Sequence, residues 1–228
     1  MIPPFLIRRS GELILLELVY FFSVLIFCLA IYFKTKQIYD LTKHKGIFYF
    51  RNIFLYFSLA YFFRIVQIFL ALQGNFLPLQ TGFKLNGLNL LFISFTSTMA
   101  LLSVILTFSS GRIRNYKRTN IYATLIIILI CLVAFFTRSP EMLGLLQLIL
   151  LIISIVIIFG KRKKGDLFSR MRKIYLLLLL FWILNLFIFN IFFNSWFKLP
   201  LYLVSLWLFY FIFLKVSKRL RANVQKKK

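Results

Sequence analysis

The sequence predicts an all-α, polytopic membrane bundle of about seven transmembrane helices, with its N-terminus outside and its C-terminus in the cytoplasm. Three observations carry that prediction. The 228 residues are 61% hydrophobic and only 15% charged, with a mean hydropathy of +0.90, whereas a soluble domain holds nearer ~45–50% apolar and ~25% charged residues. The apolar residues gather in runs that suit a hydrocarbon core of ~30 Å, which takes about 20 helical residues to cross. The cations, 29 against 5 acidic residues for a net charge of +24, sit in short clusters between those runs. So high a charge on a soluble chain points to nucleic acid. Here there is no soluble segment to read a nucleic acid, and the expected surroundings are the lipid bilayer.

The predicted spans are 12–33, 47–72, 88–110, 120–137, 142–160, 174–194 and 200–215, within a single transmembrane domain that ends in a basic tail, 216–228. The first follows Arg8-Arg9, a pair that also opens twin-arginine signals. The run behind it contains Glu12 and Glu17, is longer than a signal core and has no A-x-A site, so it reads as a retained anchor. The fourth and fifth spans are separated only by a tight turn at 138–141, which also permits a helical hairpin, and the fifth and seventh are short. Seven is the count adopted. Orientation follows from the loops that hold Lys and Arg: 23 of the 29 cations fall after the first, third and fifth spans and in the tail. The other side holds Arg8, Arg9, Lys84, Arg138 and Lys198, and Arg64 lies inside the second span.

Several kinds of chemistry lack their residues. Cys28 and Cys131 both fall within spans and read as small packing residues. His44, the one histidine, sits in a basic loop, so a multi-histidine zinc site has no ligands. No Ser or Cys has a histidine partner at membrane depth for nucleophilic catalysis. The expectation is therefore no enzyme activity and no cofactor. No proline falls at mid-span, and the seventh span has no mid-helix lysine. Neither a broken-helix transport site nor a retinal attachment point is signalled.

An ionisable side chain in hydrocarbon is expected to face the bundle interior and to find a partner. Counting 1.5 Å per residue from the span centres puts Glu17 ~8 Å and Arg64 ~7 Å toward the outside, at matching depth on consecutive antiparallel helices. They form a candidate intramembrane ion pair, with charge-assisted hydrogen bonding as its basis. Three roles are open: locking the first two helices together, lining a ligand site, or separate snorkelling to the outer surface. On the second span Ala60, Arg64, Gln67, Ala71 and Gly74 share one helical face. The expectation is that this stripe faces the bundle while Phe54, Tyr56, Phe57, Tyr61, Phe62 and Phe69 face lipid.

The third span carries a small-residue stripe, Thr96, Ala100, Ser103, Thr107 and Ser110, suited to close helix packing. Ser94, Ser97 and Thr98 add hydroxyls on another face. With Gln147 on the fifth span and Asn185 and Asn190 on the sixth, they complete an outer-half polar layer that serves either as interhelical glue or as the lining of an outward-opening ligand site. On the cytoplasmic face Lys161, Arg162, Lys163 and Lys164 form the densest basic cluster, placed for anionic lipid headgroups or for an acidic cytoplasmic signalling or complex partner.

The stretch Lys45-Gly46-Ile47-Phe48-Tyr49-Phe50-Arg51-Asn52, followed by Leu59-Ala60-Tyr61-Phe62-Phe63-Arg64 after a long first span, resembles the start of the seven-helix sensor modules that precede prokaryotic histidine kinases. It is also similar to uncharacterised seven-helix membrane proteins of archaea. The resemblance covers the first two helices, and the chain has no PAS or kinase domain. It implies a receptor-like bundle in a prokaryotic plasma membrane, without enzyme activity of its own. Three functional classes stay open on these residues: a receptor-like or accessory protein binding a small or lipidic ligand, a small-molecule or lipid carrier, and a structural subunit.

Overall fold

A computed structural model describes residues 11–72, 79–109, 115–136, 140–160, 167–188 and 195–225. Seven α-helices and no strands occur among the described residues: α1 (Gly11–Thr42), α2 (Lys45–Leu72), α3 (Leu79–Ser109), α4 (Tyr116–Phe136), α5 (Pro140–Gly160), α6 (Leu167–Ile188) and α7 (Ser195–Gln225). Four contain stretches long and apolar enough to cross a membrane: Ile14–Thr42, Lys45–Leu72, Gly87–Phe108 and Lys198–Lys218. Shorter apolar stretches lie in α4, α5 and α6. Those helices nonetheless run 21, 21 and 22 residues, or about 32 Å each at 1.5 Å per residue.

Local chemistry sets several of the helix ends. Lys43 adopts a left-handed conformation, φ 50°, and its N–H donates to the Tyr39 carbonyl at 2.7 Å. This closes α1 with an αL cap at a position where glycine or asparagine is the usual choice. His44 then caps α2: its Nδ1 accepts from the Gly46 N–H at 3.1 Å, satisfying a donor that would otherwise have no partner in the first turn. The sole histidine is thus a helix cap. α5 begins at Pro140, where the missing N–H costs nothing, and ends at Gly160. α7 starts earlier than the predicted seventh span, which leaves Pro200 inside the helix.

The helices close into a ring. α1 packs on α2, α2 on α3, α3 on α5, α5 on α6, α6 on α7, and α7 returns to α1; α4 lies outside the ring against α3 and α5. The α2 contacts with α1 and α3 are the most extensive, and of these pairings those of α5 with α4 and α6 are the thinnest. Aromatic side chains of α2 fill the interior and reach α6 and α7. Phe50 meets Tyr175, Phe54 meets Phe209, and Phe57 meets Phe181 and Trp182, all edge-on, the arrangement that aromatic quadrupoles favour.

The distribution of polarity is inverted relative to a soluble protein. Glu17, Asn52, Ser97, Thr98, Asn185 and Ser205 are buried, while Leu15, Val19, Phe22 and Ile26 on α1, Leu125, Leu129 and Val133 on α4, and Leu203 and Trp207 on α7 are exposed. Exposed apolar surface on this scale needs an apolar solvent. The protein is therefore a membrane-spanning helix bundle whose surroundings are a lipid bilayer.

One expectation is corrected. Phe54, Phe57 and Tyr61 are buried in the core instead of facing lipid, although Phe62 and Phe69 are exposed as expected. The reason lies in α2 packing on α1 and α3 at once while its side chains also reach α6 and α7. Its buried face is therefore broad enough to take both the aromatic positions and Ala60 of the small-residue stripe. Ala71, farther along that stripe, is exposed, and Gly74 lies outside the described residues.

Candidate functional site

Near mid-bundle on α6, Asn185 gathers side chains from three other helices. Its Oδ1 accepts the hydroxyl proton of Tyr61 (α2) at 2.6 Å and that of Tyr20 (α1) at 2.9 Å, using both lone pairs of the amide oxygen. Tyr20 Oη and Ser205 Oγ (α7) lie 2.8 Å apart. With its own proton given to Asn185, Tyr20 accepts this bond and Ser205 donates it. The Asn185 amide group donates to the Phe181 carbonyl at 2.7 Å. A knot of uncharged groups so ties α1, α2, α6 and α7 together in the core. Tyr20, Tyr61 and Ser205 were not singled out from sequence. The same depth arithmetic applied to tyrosines finds two of them, since Tyr20 and Tyr61 each stand three residues from Glu17 and Arg64.

Both intramembrane charges lie beside this knot. Glu17 is 4% exposed, and its Oε1 accepts the Tyr202 hydroxyl proton at 3.1 Å. The Arg64 guanidinium sits 5.1 Å from the Tyr61 ring centroid, a cation–π distance. On the opposite wall the Gln147 Nε2 (α5) donates to Ser97 Oγ (α3) at 2.7 Å, and Ser97 in turn donates to the Ser94 carbonyl at 3.0 Å.

Between these groups lies a partly open cavity with about 20 Å³ accessible to the centres of water-sized molecules. Its walls are Phe57, Ala60, Tyr61 and Arg64 of α2, Ser97 of α3, Gln147 of α5, and Trp182 and Asn185 of α6. The structure thus brings Arg64, Ser97, Gln147 and Asn185 to one space. The other sequence-selected residues stand apart from its walls. Glu17 is engaged with Tyr202. Gln67 is half-buried one turn beyond Arg64. The Ser94 carbonyl accepts the hydroxyls of Ser97 and Thr98, the latter at 2.7 Å, so Thr98 serves its own helix. Asn190 and the Lys161-Arg162-Lys163-Lys164 cluster lie outside the described residues. No grouping of three or more His, Cys, Asp or Glu suited to a metal occurs among the described residues.

Fold and site together define a class, the membrane-embedded helical bundle with a small polar cavity in its core. Comparison adds an archaeal relative: an uncharacterized protein of Archaeoglobus fulgidus is 26% identical over 226 residues, an alignment covering 96% of this chain and 98% of that protein. No protein-family model matches the chain, and no solved structure matches it.

Proposed function

We propose that the protein is a non-enzymatic, receptor-like or accessory protein of the plasma membrane whose polar cavity binds a small ligand reaching it from outside. The observation that carries this reading is the convergence of Arg64, Ser97, Gln147 and Asn185, from four helices, on one cavity. Asn185 is bonded to Tyr61 and Gln147 to Ser97, and what sets the group apart from interhelical glue is the space these pairs enclose beside Arg64. The cavity volume favours a small ligand over a lipidic one, because an acyl chain needs many times this space. The low-specificity resemblance of the first two helices to kinase sensor modules agrees with a receptor-like role. The loop cations give the topology, N-terminus outside and basic face in the cytoplasm, with anionic lipid or an acidic partner at that face.

Thermal unfolding of the purified protein against a panel of small polar compounds tests the ligand reading. The expected result is saturable stabilisation by at least one compound, reduced by Gln147→Leu. Substrate-dependent flux in proteoliposomes, lost in Asn190→Leu, would favour a carrier instead. A reporter fused after Lys228 is expected to be active only in the cytoplasm; activity outside would reverse the orientation.

A further inference from the structure

We infer that the cavity is a site for a small monovalent anion, no larger than a halide or a carboxylate of one or two carbons. The inference rests on reading the cavity as a ligand site and assigns the ligand's class. Arg64 is the charged residue on the wall, and its guanidinium offers several N–H donors in a fork that suits a carboxylate or a compact anion. Glu17, the buried acid at the same level, is not on the wall; its Oε1 is engaged by Tyr202. The side-chain oxygen of Asn185 accepts from two phenols, whose O–H dipoles offset much of its negative charge. The Ser97 hydroxyl accepts one amide proton of Gln147, and the same amide group, on a lining residue, carries a second N–H.

Size narrows the class further. About 20 Å³ open to water-sized centres exceeds the ~10–15 Å³ that one water needs but falls well short of an amino acid or a headgroup. Phe57, Trp182 and the Ala60 methyl wall the remainder with apolar surface. That surface lowers the local dielectric, which strengthens the attraction of a guanidinium for a partner that sheds its water readily. Formate, acetate, nitrate and bromide fit this description. Sulfate and phosphate, which are larger and strongly hydrated, do not.

Thermal unfolding in detergent or nanodiscs, with sodium formate, acetate or bromide exchanged against sodium gluconate at constant ionic strength, tests the inference. The expected result is a saturable rise in Tm of several degrees for the small anions. It should vanish in Arg64→Gln and in the cavity-filling Ala60→Leu, and persist in Lys36→Gln, an exposed lysine on α1. Should Arg64→Gln not fold, Glu17→Gln supplies an independent reading: removing the nearby carboxylate is expected to lower the anion concentration at half-effect severalfold. Small anions acting no better than gluconate would overturn the inference. If neutral formamide stabilises instead, and Gln147→Leu removes its effect, the anion class falls while the ligand site stands. If no probe stabilises and Ala60→Leu raises the Tm, the cavity is a packing void and both readings fall.

Discussion

Asn185 is the residue on which the interior polar groups depend. Its replacement by Leu leaves the Tyr61 hydroxyl without its 2.6 Å acceptor, and an interhelical hydrogen bond in a membrane bundle contributes ~0.6 kcal/mol on average and up to ~1.7. Because two phenols share the one oxygen, Asn185→Leu is expected to destabilise by about 1–2 kcal/mol in reversible unfolding from bicelles. Ser205→Ala, which removes the bond to Tyr20 and the long 3.5 Å one from Asn185 and leaves Tyr20 bonded to Asn185, should stay near ~0.6 kcal/mol. Glu17→Gln and Arg64→Gln make a cycle whose coupling measures the pair predicted from their depth. Each single change should destabilise and the double change should be partly rescued; strictly additive losses would remove the pair. At the surface, Lys43→Gly relieves a left-handed non-glycine residue and is expected to stabilise by about 0.5–1 kcal/mol. The exposed Lys43–Asp40 pair that it deletes, at 3.6 Å, contributes little to offset this.

At the scale of elements, the sequence carries the helices far better than it carries their rotations. Seven apolar runs separated by charged or glycine-bearing loops correspond to seven helices among the described residues, four of them long and apolar enough to cross a membrane, because apolar length is written directly in composition. The rotation of α2 was legible only in part. Its small and polar positions point inward at Ala60, but Tyr61 and Phe57 point inward too, since a helix reaching several neighbours has no single lipid face for a periodicity count to find. Arg51 is a related case. From sequence it is one more loop-side cation, yet its Cζ lies 4.8 Å from the Tyr39 ring centroid and 5.4 Å from those of Tyr32 and Phe48. The guanidinium is boxed by aromatics of α1 and α2 and clasps the hairpin they form. Cations at hydrophobic helix ends gain such boxes from three-dimensional neighbours, which linear spacing does not reveal. Between α3 and α4, Gly87 admits the Phe135 ring: an added Cβ would sit 3.2 Å from Phe135 Cε2. Phe135 is 41% exposed and free to swing outward. Gly87→Ala should therefore loosen α4 from α3 by no more than about 1 kcal/mol, below the usual range for overpacking a closed core.

For the whole molecule, the inverted surface makes a direct prediction. Trp207 is 68% exposed on α7 and Trp182 is 6% exposed beside the cavity. In single-tryptophan variants reconstituted with brominated lipids, Trp207 fluorescence is expected to be quenched strongly and Trp182 fluorescence hardly at all. The reverse would place the wrong faces of α6 and α7 in lipid. The interior is also graded along its length. Toward the cation-rich end, Phe50, Tyr175 and Phe108 form an aromatic cluster, whereas the polar knot, both intramembrane charges and the cavity occupy the other half. The depth count made this gradient legible for Glu17, Arg64 and Asn185. It could not show that Ser97 and Gln147 meet, because that contact depends on α3 packing against α5 across an excluded α4.

The long α7 gives the bundle a mechanical property. Its 31 residues span about 46 Å, some 15 Å more than a hydrocarbon core, and beyond Pro200 no glycine or proline interrupts it. Lys34 of α1 donates to Ser217 of α7 at 3.1 Å and lies over the Phe213 ring, coupling the far ends of two uninterrupted rods. Ser205, in the polar knot, stands 20 residues from Gln225, about 30 Å along the axis. A helix this much longer than the hydrocarbon core must tilt or carry its last turns into the interface, and the Lys34 contacts oblige α1 and α7 to do so together.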